Sequence, residues 1–353
     1  MLYSSYYQQT YGVERKRIVM PSGVKLRLNR GERPDQMPRP LLNTIYANQR
    51  LGYVQRYPSY QQFYERLSTF IGFPAEQIVV GAGIEELIRN LMLLAGDRGA
   101  AVLWPTCAMY DIYAQAFGVD LLRITTDPNR TLDITEVMHS VRKGVGVLFL
   151  PNPGQPVETC YQLGELESLA NWCWVNNIVL AVDEAHHGFG APTALPLVHK
   201  FDNVIVMRTF SKFFGAASIR VGFAVGQARV IKPLHAVRAS GEIAGPSMQI
   251  ATTLLDNYAE VWAWAGRTSL ARDLTRNMLV ECGLKVKGKY GFSLLIEAPS
   301  PDEAARVAEE LASRGTYVKQ SFAPPVERHL LAAVGDPPMM KTFMDQLKEI
   351  CKC

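Results

Sequence analysis

Val204-Ile205-Val206-Met207-Arg208-Thr209-Phe210-Ser211-Lys212-Phe213-Phe214 is an apolar run of strand type that leads directly into a turn holding a lysine. Ser211 precedes this lysine, and Arg220 follows it eight positions later. A lysine among apolar neighbours loses hydration, which disfavours the ammonium form and lowers the pKa of the amine. A neutral amine at the end of a strand is the nucleophile that Schiff-base chemistry requires. The alternative is a solvated lysine after an edge strand. The motifs elsewhere in the chain help to decide between these two interpretations.

Short apolar runs alternate with helical patterns on the N-terminal side of this stretch. Strands bounded by turn residues are predicted at residues 77–80, 100–104, 119–124, 145–150, 178–182 and 204–207, and helices at 60–70, 87–94, 108–117 and 163–176. Strands buried on both faces that alternate with helices indicate an α/β protein with a mostly parallel sheet. In such sheets a ligand site lies at the carboxyl ends of the strands.

The pattern changes beyond residue 240. A long helical region covers residues 246–282, strands are predicted at 291–297, 317–320 and 330–334, and helices at 301–314 and 338–350. This predicts a second, smaller α+β domain. Residues 1–35 are rich in Tyr, Arg and Gly and have weak periodicity, which is typical of an arm rather than a core element. We therefore expect an N-terminal arm (1–35), a large domain (36–240) and a small C-terminal domain (241–353).

Composition narrows the class of protein. The chain has 353 residues, 48% hydrophobic and 20% charged, with a formal net charge of +4. These are values of an ordinary globular chain with a large core. It carries no basic block of nucleic-acid type, no apolar stretch of membrane-spanning length and no signal-peptide pattern. We expect a cytoplasmic protein without nucleic-acid or membrane partners.

The six cysteines show no CxxC pair and no spacing typical of a metal site. They are predicted to be reduced thiols. Cys351 and Cys353 could bind a metal ion, but a frayed C-terminus is the favoured interpretation. We therefore expect no metal.

Polar residues follow other predicted strands. Asn152 comes just after the strand that ends at residue 150, and Asp183 just after the strand that ends at residue 182. Gly83-Ile84-Glu85 opens a helix, whose free N–H groups and dipole suit a phosphate. Each feature has a structural alternative: a turn residue, a helix cap and a tight turn. All of these features occurring in one chain in this order, with Lys212 and Arg220 last, is less probable by chance than any one of them alone.

With these residues in place, the chain resembles the fold-type I pyridoxal-phosphate enzymes, and within them the histidinol-phosphate aminotransferase branch of the class I/II aminotransferases. The matching motifs are Arg56-Tyr57-Pro58, residues 77–88, Asn152-Pro153, Asp183-Glu184-Ala185, residues 208–212 and residues 219–223. The resemblance covers the chain from about Leu28 to its end. It implies the aspartate aminotransferase-like fold, with a mostly parallel seven-stranded sheet in the large domain and a small α+β C-terminal domain.

The resemblance also implies roles for residues. Lys212 is expected to form the Schiff base with pyridoxal 5′-phosphate and to carry the proton at the substrate's Cα. Asp183 is expected to pair with the pyridine nitrogen, which makes the ring an electron sink. Asn152 is expected to donate to the phenolate oxygen. The phosphate is assigned to the turn at Gly83, the N–H groups of Ile84 and Glu85, the Ser211 hydroxyl and Arg220.

Tyr57 is implied to reach the phosphate of the neighbouring subunit's cofactor, which predicts a homodimer with shared active sites. In that assembly the arm, with Tyr3, Tyr6, Tyr7 and Tyr11, covers a site as a lid or stays a floppy tail.

Three positions depart from the family pattern. Cys107 stands where the family stacks an aromatic ring on the cofactor, so that stacking is weakened or supplied by Met109 or Tyr110. His186 replaces a tyrosine beside the cofactor's oxygen, and an imidazole changes charge near neutral pH.

The third departure concerns the substrate. Leu331 stands four residues before Gly335, where the family places the arginine that binds the substrate's anion. A shifted alignment would let Arg328 or His329 serve instead. Lys319 falls where the branch has a second anion-binding arginine, which keeps a phosphorylated substrate open. These positions favour a sister activity over histidinol-phosphate transamination.

The leading hypothesis is an aminotransferase that moves an amino group between an amino-acid donor and a small keto or aldehyde acceptor, phosphorylated or not. The runner-up is a decarboxylase of a small or phosphorylated amino acid, and oxidation or elimination by a lyase is a third activity. A cofactor-binding regulator is disfavoured because residues 1–35 are too short for a helix-turn-helix domain, and a pseudoenzyme because Lys212 is present.

Overall fold

The structure is a computed structural model that describes residues 22–50, 52–130 and 132–352. Its strands are β1 (Leu26–Arg27), β2 (Ile78–Gly81), β3 (Ala100–Trp104), β4 (Leu121–Thr125), β5 (Val147–Pro151), β6 (Val179–Asp183), β7 (Val204–Thr209), β8 (Gly222–Gly226), β9 (Lys285–Lys287), β10 (Ser293–Glu297), β11 (Thr316–Tyr317) and β12 (His329–Ala333). Its α-helices are Arg39–Asn48, Gly52–Gln55, Gln61–Ile71, Ile84–Ala95, Met109–Phe117, Ile134–Ser140, Leu163–Val175, Leu195–Val198, Ala228–Val237, Gly245–Asp256, Tyr258–Glu281, Pro301–Ser313 and Pro337–Cys351. None of these described helices is long and apolar enough to cross a membrane.

Seven strands form the central sheet in the order β2-β8-β7-β6-β5-β3-β4. The pairs β7·β6, β6·β5, β5·β3 and β3·β4 are parallel, and β8 runs antiparallel to both β2 and β7. The predicted α/β fold with a mostly parallel seven-stranded sheet is confirmed. Strand β8 was not predicted, because its apolar core is only Phe-Ala-Val between two glycines.

The central strands are apolar throughout because both faces of the sheet are covered. In β5, Leu148 and Leu150 pack into one hydrophobic cluster, whereas Val147 and Phe149 pack into another. Successive side chains of a strand point to opposite faces, so a strand between two layers of helices needs apolar residues at every position.

The small domain is built on an antiparallel sheet in the order β12-β10-β9. The helices Pro301–Ser313 and Pro337–Cys351 supply buried residues to the same hydrophobic cluster as this sheet. The predicted elements agree with the observed ones to within a few residues, and the predicted small α+β domain is confirmed.

The described part of the predicted arm differs from the expectation. Leu26 and Leu28 are buried in the small-domain cluster, and β1 pairs in parallel with β11. Thus residues 26–28 are a core element. The lid assigned to Tyr3, Tyr6, Tyr7 and Tyr11 lies outside the described residues.

The predicted domain boundaries, 35/36 and 240/241, stay predictions. Helix Gly245–Asp256, C-terminal to the second boundary, contributes Met248, Ala251, Leu254 and Leu255 to the cluster that covers one face of the central sheet. Chain segments near both boundaries therefore pack across them.

Candidate active site

A cavity of about 390 Å³ lies where β5, β6 and β7 end. We call it the strand-end cavity, because Pro151, Asp183 and Thr209 at the ends of these strands line it. Eight sequence-predicted residues also meet there: Ile84, Glu85, Cys107, Asp183, His186, Ser211, Lys212 and Arg220. Residues that are up to 136 positions apart in the sequence converge because carboxyl ends of parallel strands share one edge of a sheet.

Lys212 is half-buried in this cavity, and its Nζ donates a hydrogen bond to the carbonyl oxygen of Gly31. Burial lowers the pKa of the Lys212 amine, and the positive charges of Arg220 and Lys319 act in the same direction. The negative charge of the Asp183 carboxylate opposes that shift. The lowered pKa favours the neutral, nucleophilic amine, as the apolar surroundings in the sequence predicted.

Asp183 is buried at the end of β6, and both of its carboxylate oxygens accept hydrogen bonds. The Tyr110 hydroxyl donates to Oδ2 at 2.7 Å, and the backbone N–H of Ala185 donates to Oδ1 at 2.9 Å. Burial raises the pKa of Asp183, while these two hydrogen bonds and the Lys212 charge pull it down. A buried carboxylate of this kind gains from a cationic partner, and a protonated pyridine nitrogen is such a partner.

A phosphate-sized cradle lies at the start of helix Ile84–Ala95. Gly83 has φ +80°, and a Cβ there would stand 2.7 Å from the Arg220 guanidinium nitrogen Nη2. Arg220 Nη1 lies 3.3 Å from the Ser211 hydroxyl oxygen, and its Nη2 lies 3.8 Å from Glu85 Oε2. The helix N–H groups, a hydroxyl and a guanidinium are the donors that bind phosphate.

The residues present therefore fit pyridoxal phosphate. The amine, the buried carboxylate and the cradle line one cavity. The glycine at position 83 leaves the room that a side chain would fill.

Asn152 does not line the cavity, although Pro151 and Pro153 on either side of it do. Its side chain is fully buried, its Oδ1 accepts from the backbone N–H of Tyr161 at 2.8 Å, and its Nδ2 donates to the Tyr161 carbonyl at 3.2 Å. Gln155, three residues further on, lines the cavity instead. The Ser293 hydroxyl donates to Gln155 Oε1 at 2.8 Å, which leaves the Gln155 Nε2 as a donor. Gln155 was not predicted from the sequence, although it lies in the turn between Pro153 and Pro156.

A second cavity, of about 270 Å³, adjoins the first and shares Gly31, Cys107, Gln155 and Lys212 with it. We call it the Leu331 cavity, because Leu331 and Lys319 line it. Arg328 lines neither cavity and pairs with Glu297 at 2.8 Å. Tyr57 is fully exposed in the single chain and also lies outside both cavities.

His186 lies between the two cavities, with its ring centroid 5.4 Å from that of Phe292. Burial, with the positive charge of Lys212, lowers the pKa of His186 to about 3. The imidazole is therefore neutral near pH 7, unlike the sequence-based expectation of a charge change there. Its Nδ1 is buried and has no hydrogen-bond partner among the described residues.

The ring that the family stacks at position 107 is missing here. Cys107 lines both cavities with an exposed side chain. Of the two substitutes named above, Met109 lines the strand-end cavity, whereas Tyr110 is buried beside Asp183.

Comparisons with known proteins agree with this geometry. The histidinol-phosphate aminotransferase from Sinorhizobium meliloti, solved in complex with pyridoxal-5′-phosphate, superposes with a TM-score of 0.87 at 18% identity, covering 99% of this chain and 98% of that chain. The Thermus thermophilus aspartate aminotransferase with maleate gives a TM-score of 0.77 at 20% identity, over 93% and 92% of the two chains. The fold is therefore that of the aspartate aminotransferases.

The chain belongs to the aminotransferase class I and II family, whose sequence model matches residues 24–347. The histidinol-phosphate aminotransferase of Desulfitobacterium hafniense is 29% identical over 310 residues, 84% of each protein. That of Aquifex aeolicus is 27% identical over 353 residues, 96% of this chain and 95% of that protein. The predicted pyridoxal-phosphate-dependent aminotransferase class is confirmed, and these relatives lend no support to the decarboxylase alternative.

Proposed function

We propose that this aminotransferase moves an amino group between an amino-acid donor and a small keto or aldehyde acceptor that carries an anionic group. One observation carries the proposal: Lys212, Asp183 and the Ser211–Arg220 pair line a single cavity. The named relatives act on histidinol phosphate. Leu331 replaces the arginine that the resemblance expects, so we propose an acceptor other than that of the relatives.

The predicted site residues that line the strand-end cavity have roles that their positions support. The N–H groups of Ile84 and Glu85, the Ser211 hydroxyl and Arg220 would hold the phosphate of the cofactor. Asp183 would stabilise a protonated pyridine nitrogen. When bound, the cofactor supplies an electron sink for a carbanion at the substrate's Cα.

Lys212 would take the proton from the substrate's Cα onto Nζ and deliver it to the C4′ carbon of the cofactor. A general base works best with a pKa near the working pH, and burial brings the Lys212 amine toward that range. The carbonyl of Gly31 accepts from Nζ and orients it.

Gln155 supplies the amide donor that the resemblance assigned to Asn152. Its Nε2 is left available by the Ser293 hydrogen bond, whereas both ends of the Asn152 amide are engaged by Tyr161. Neutral His186 supplies a second polar group next to Gln155: a Cβ on Gly291 would lie 3.1 Å from His186 Nδ1 and 3.2 Å from Gln155 Nε2.

A cytoplasmic homodimer with shared sites is part of the proposal. The full exposure of Tyr57 supports it, because an aromatic side chain with no cover in one chain gains from a second subunit. Analytical ultracentrifugation should find a dimer. Tyr57→Phe should lower the affinity for the cofactor and leave the dimer intact. A monomeric active enzyme would contradict shared sites.

A half-reaction screen tests the function. The yellow holoenzyme is mixed with single donors (glutamate, glutamine, alanine, arginine and phosphoserine), and the visible spectrum and products are followed. We expect conversion to the pyridoxamine form with release of a keto acid for at least one donor. Release of carbon dioxide or ammonia while the original spectrum returns would instead show a decarboxylase or an oxidase-like enzyme.

A further inference from the structure

We propose that Arg30, together with Lys319, binds the anionic group of the substrate in the Leu331 cavity. Arg30 thereby takes over the task for which the family uses an arginine at the position of Leu331. The inference rests on the proposed function and names the substrate class of the same site: a small amino or keto compound with a carboxylate or phosphate.

The charges that line the Leu331 cavity point to an anionic occupant. Arg30, Lys212 and Lys319 line it, and none of the lining residues in the described part of the chain carries a carboxylate. Lys212 lines both cavities and is the proposed Schiff-base lysine, so it is not counted as a binding site for the substrate's anion. Arg30 and Lys319 are then two cations that need a counter-charge from the ligand.

Among the described residues, Arg30 has no ion-pair partner, unlike Arg27 and Arg33 of the same segment. Glu32 pairs with Arg27, and Asp35 pairs with Arg33 at 2.8 Å. Both carboxylates near Arg30 in the sequence are thus taken, and Arg30 makes no hydrogen bond or ion pair within the described residues. A half-buried guanidinium without a partner, in the wall of two cavities, is poised for an external anion.

The backbone around Arg30 is held on both sides. Before it, the Leu28 N–H donates to the Tyr317 carbonyl at 2.8 Å, and the Leu28 carbonyl accepts from the Ala333 N–H at 2.8 Å. After it, the Gly31 carbonyl accepts from Lys212, and the Arg33 guanidinium donates to the Phe213 carbonyl at 3.4 Å. Arg30 is therefore fixed between the small-domain sheet and the turn that carries the reactive lysine.

Lys319 stands beside Leu331. The two backbones exchange hydrogen bonds, from the Lys319 N–H at 2.9 Å and from the Leu331 N–H at 2.8 Å. The Lys319 ammonium lies 5.0 Å from the ring centroid of Phe322 and forms no ion pair within the described residues. Leu331 carries no positive charge where the family has an arginine. Lys319, which is paired with Leu331 through the backbone, and Arg30 supply the positive charge instead.

The test measures anion binding to the holoenzyme by calorimetry, with succinate and inorganic phosphate as separate probes. Because the cofactor's own phosphate fills the cradle, the probes report the remaining cations. Arg30→Met should lower the affinity for the anion about tenfold to a hundredfold, as expected for loss of a charge-assisted hydrogen bond. Arg30→Lys should recover part of that loss, and Lys319→Met should show a smaller loss.

Lys285→Met is the matched control, because it removes one positive charge from an exposed side chain outside both cavities. Equal anion affinity in Arg30→Met and Lys285→Met would overturn the proposal. So would a loss confined to Arg328→Met. A preference for succinate assigns the site to a carboxylate, and a preference for phosphate assigns it to a phosphorylated substrate.

Steady-state kinetics provide a second reading. With the best donor, Arg30→Met should raise KM with a smaller change in kcat, since it removes binding present throughout the reaction. If Arg30→Met converts the donor with the same KM as the unaltered enzyme, the inference about Arg30 is wrong and the proposed function still stands. If no donor converts in the unaltered enzyme, the proposed function itself fails.

Chemical modification tests the unaltered protein and needs no variant to fold. Phenylglyoxal should label Arg30, and succinate or phosphate should protect it, as mapped by peptide mass spectrometry. Labelling of Arg30 that neither anion slows would contradict the assignment.

Discussion

At the residue scale, two amides three positions apart have different surroundings. Asn152 is buried with both ends of its amide bound to the Tyr161 backbone, whereas Gln155 lines both cavities. The first amide therefore serves the fold, and the second is available to a ligand.

Asn152→Ala should lower the free energy of unfolding by about 2 to 4 kcal/mol, because it leaves a buried N–H and a buried carbonyl of Tyr161 without partners. Urea denaturation measures this loss. Gln155→Ala should leave stability nearly unchanged and lower kcat roughly tenfold to a hundredfold through loss of a positioned donor. The reverse pattern, a stable Asn152→Ala protein with lost turnover, would restore the assignment made from the sequence.

His186 should be neutral throughout the physiological range. Burial lowers its pKa to about 3, so the side chain gains a proton only in strong acid. A pH titration of the holoenzyme's visible spectrum from about pH 5 to about pH 8 should therefore give the same curve for the unaltered protein and for His186→Asn. A transition with a midpoint near pH 6.5 that disappears in the variant would show that this imidazole titrates.

The sequence was informative at this scale where chemistry depends on residue type at a strand end. Lys212 and Asp183 were predicted to share a site, and they line one cavity. Arg30 and Gln155 were not predicted, because their roles depend on which neighbours are already paired. Only coordinates show that Arg27 and Arg33 consume the acids near Arg30.

At the element scale, the cradle depends on the close approach of β8 to the turn after β2. A Cβ on Gly222, the first residue of β8, would stand 2.5 Å from the Ile84 nitrogen and 2.6 Å from the Gly83 carbonyl carbon. The absence of a side chain at position 222 lets the turn at Gly83 lie against the strand that follows Arg220.

Gly222→Ala should weaken cofactor affinity at least about tenfold, because the turn must shift away from Arg220. Titration of the apoenzyme with pyridoxal phosphate measures this. Gly266→Ala is the matched control: a Cβ there meets nothing within 4 Å, and the residue lies inside helix Tyr258–Glu281. Equal cofactor affinity in the two variants would show that the turn tolerates the extra carbon.

The same element shows why part of the fold escaped prediction. Residues 222–226 form a short, fully buried strand inserted antiparallel between β2 and β7. Its pairing with β2 joins strands that lie far apart in the sequence, whereas a local pattern reports only the run of apolar residues. The long alternation of strands and helices carries much more local signal, which is why the mostly parallel sheet was predictable.

At the scale of the whole molecule, a buried cluster ties the N-terminal segment to the active-site turn and to the long helix. Arg33 pairs with Asp35, lies 3.5 Å from the ring centroid of Trp264 and donates to the carbonyl of Phe213. Because Phe213 follows Lys212, this cluster couples the segment that carries Arg30 to the reactive lysine.

Arg33→Leu should cost about 3 to 5 kcal/mol of unfolding free energy, since it leaves the Asp35 carboxylate buried without its partner. Denaturant unfolding followed by tryptophan fluorescence measures it. Arg314→Leu, which removes a partly exposed pair with Glu349, should cost no more than about 1 kcal/mol. Similar losses for both variants would argue against a buried anchor.

The central claim is that Lys212 is the residue that binds pyridoxal phosphate covalently. The most direct test is borohydride reduction of the holoenzyme, followed by proteolysis and mass spectrometry of the labelled peptide. We predict one modified peptide, with the reduced cofactor on Lys212, and no covalent label in Lys212→Ala. A label on Lys319 or on any other lysine, or a label that persists in Lys212→Ala, would contradict it.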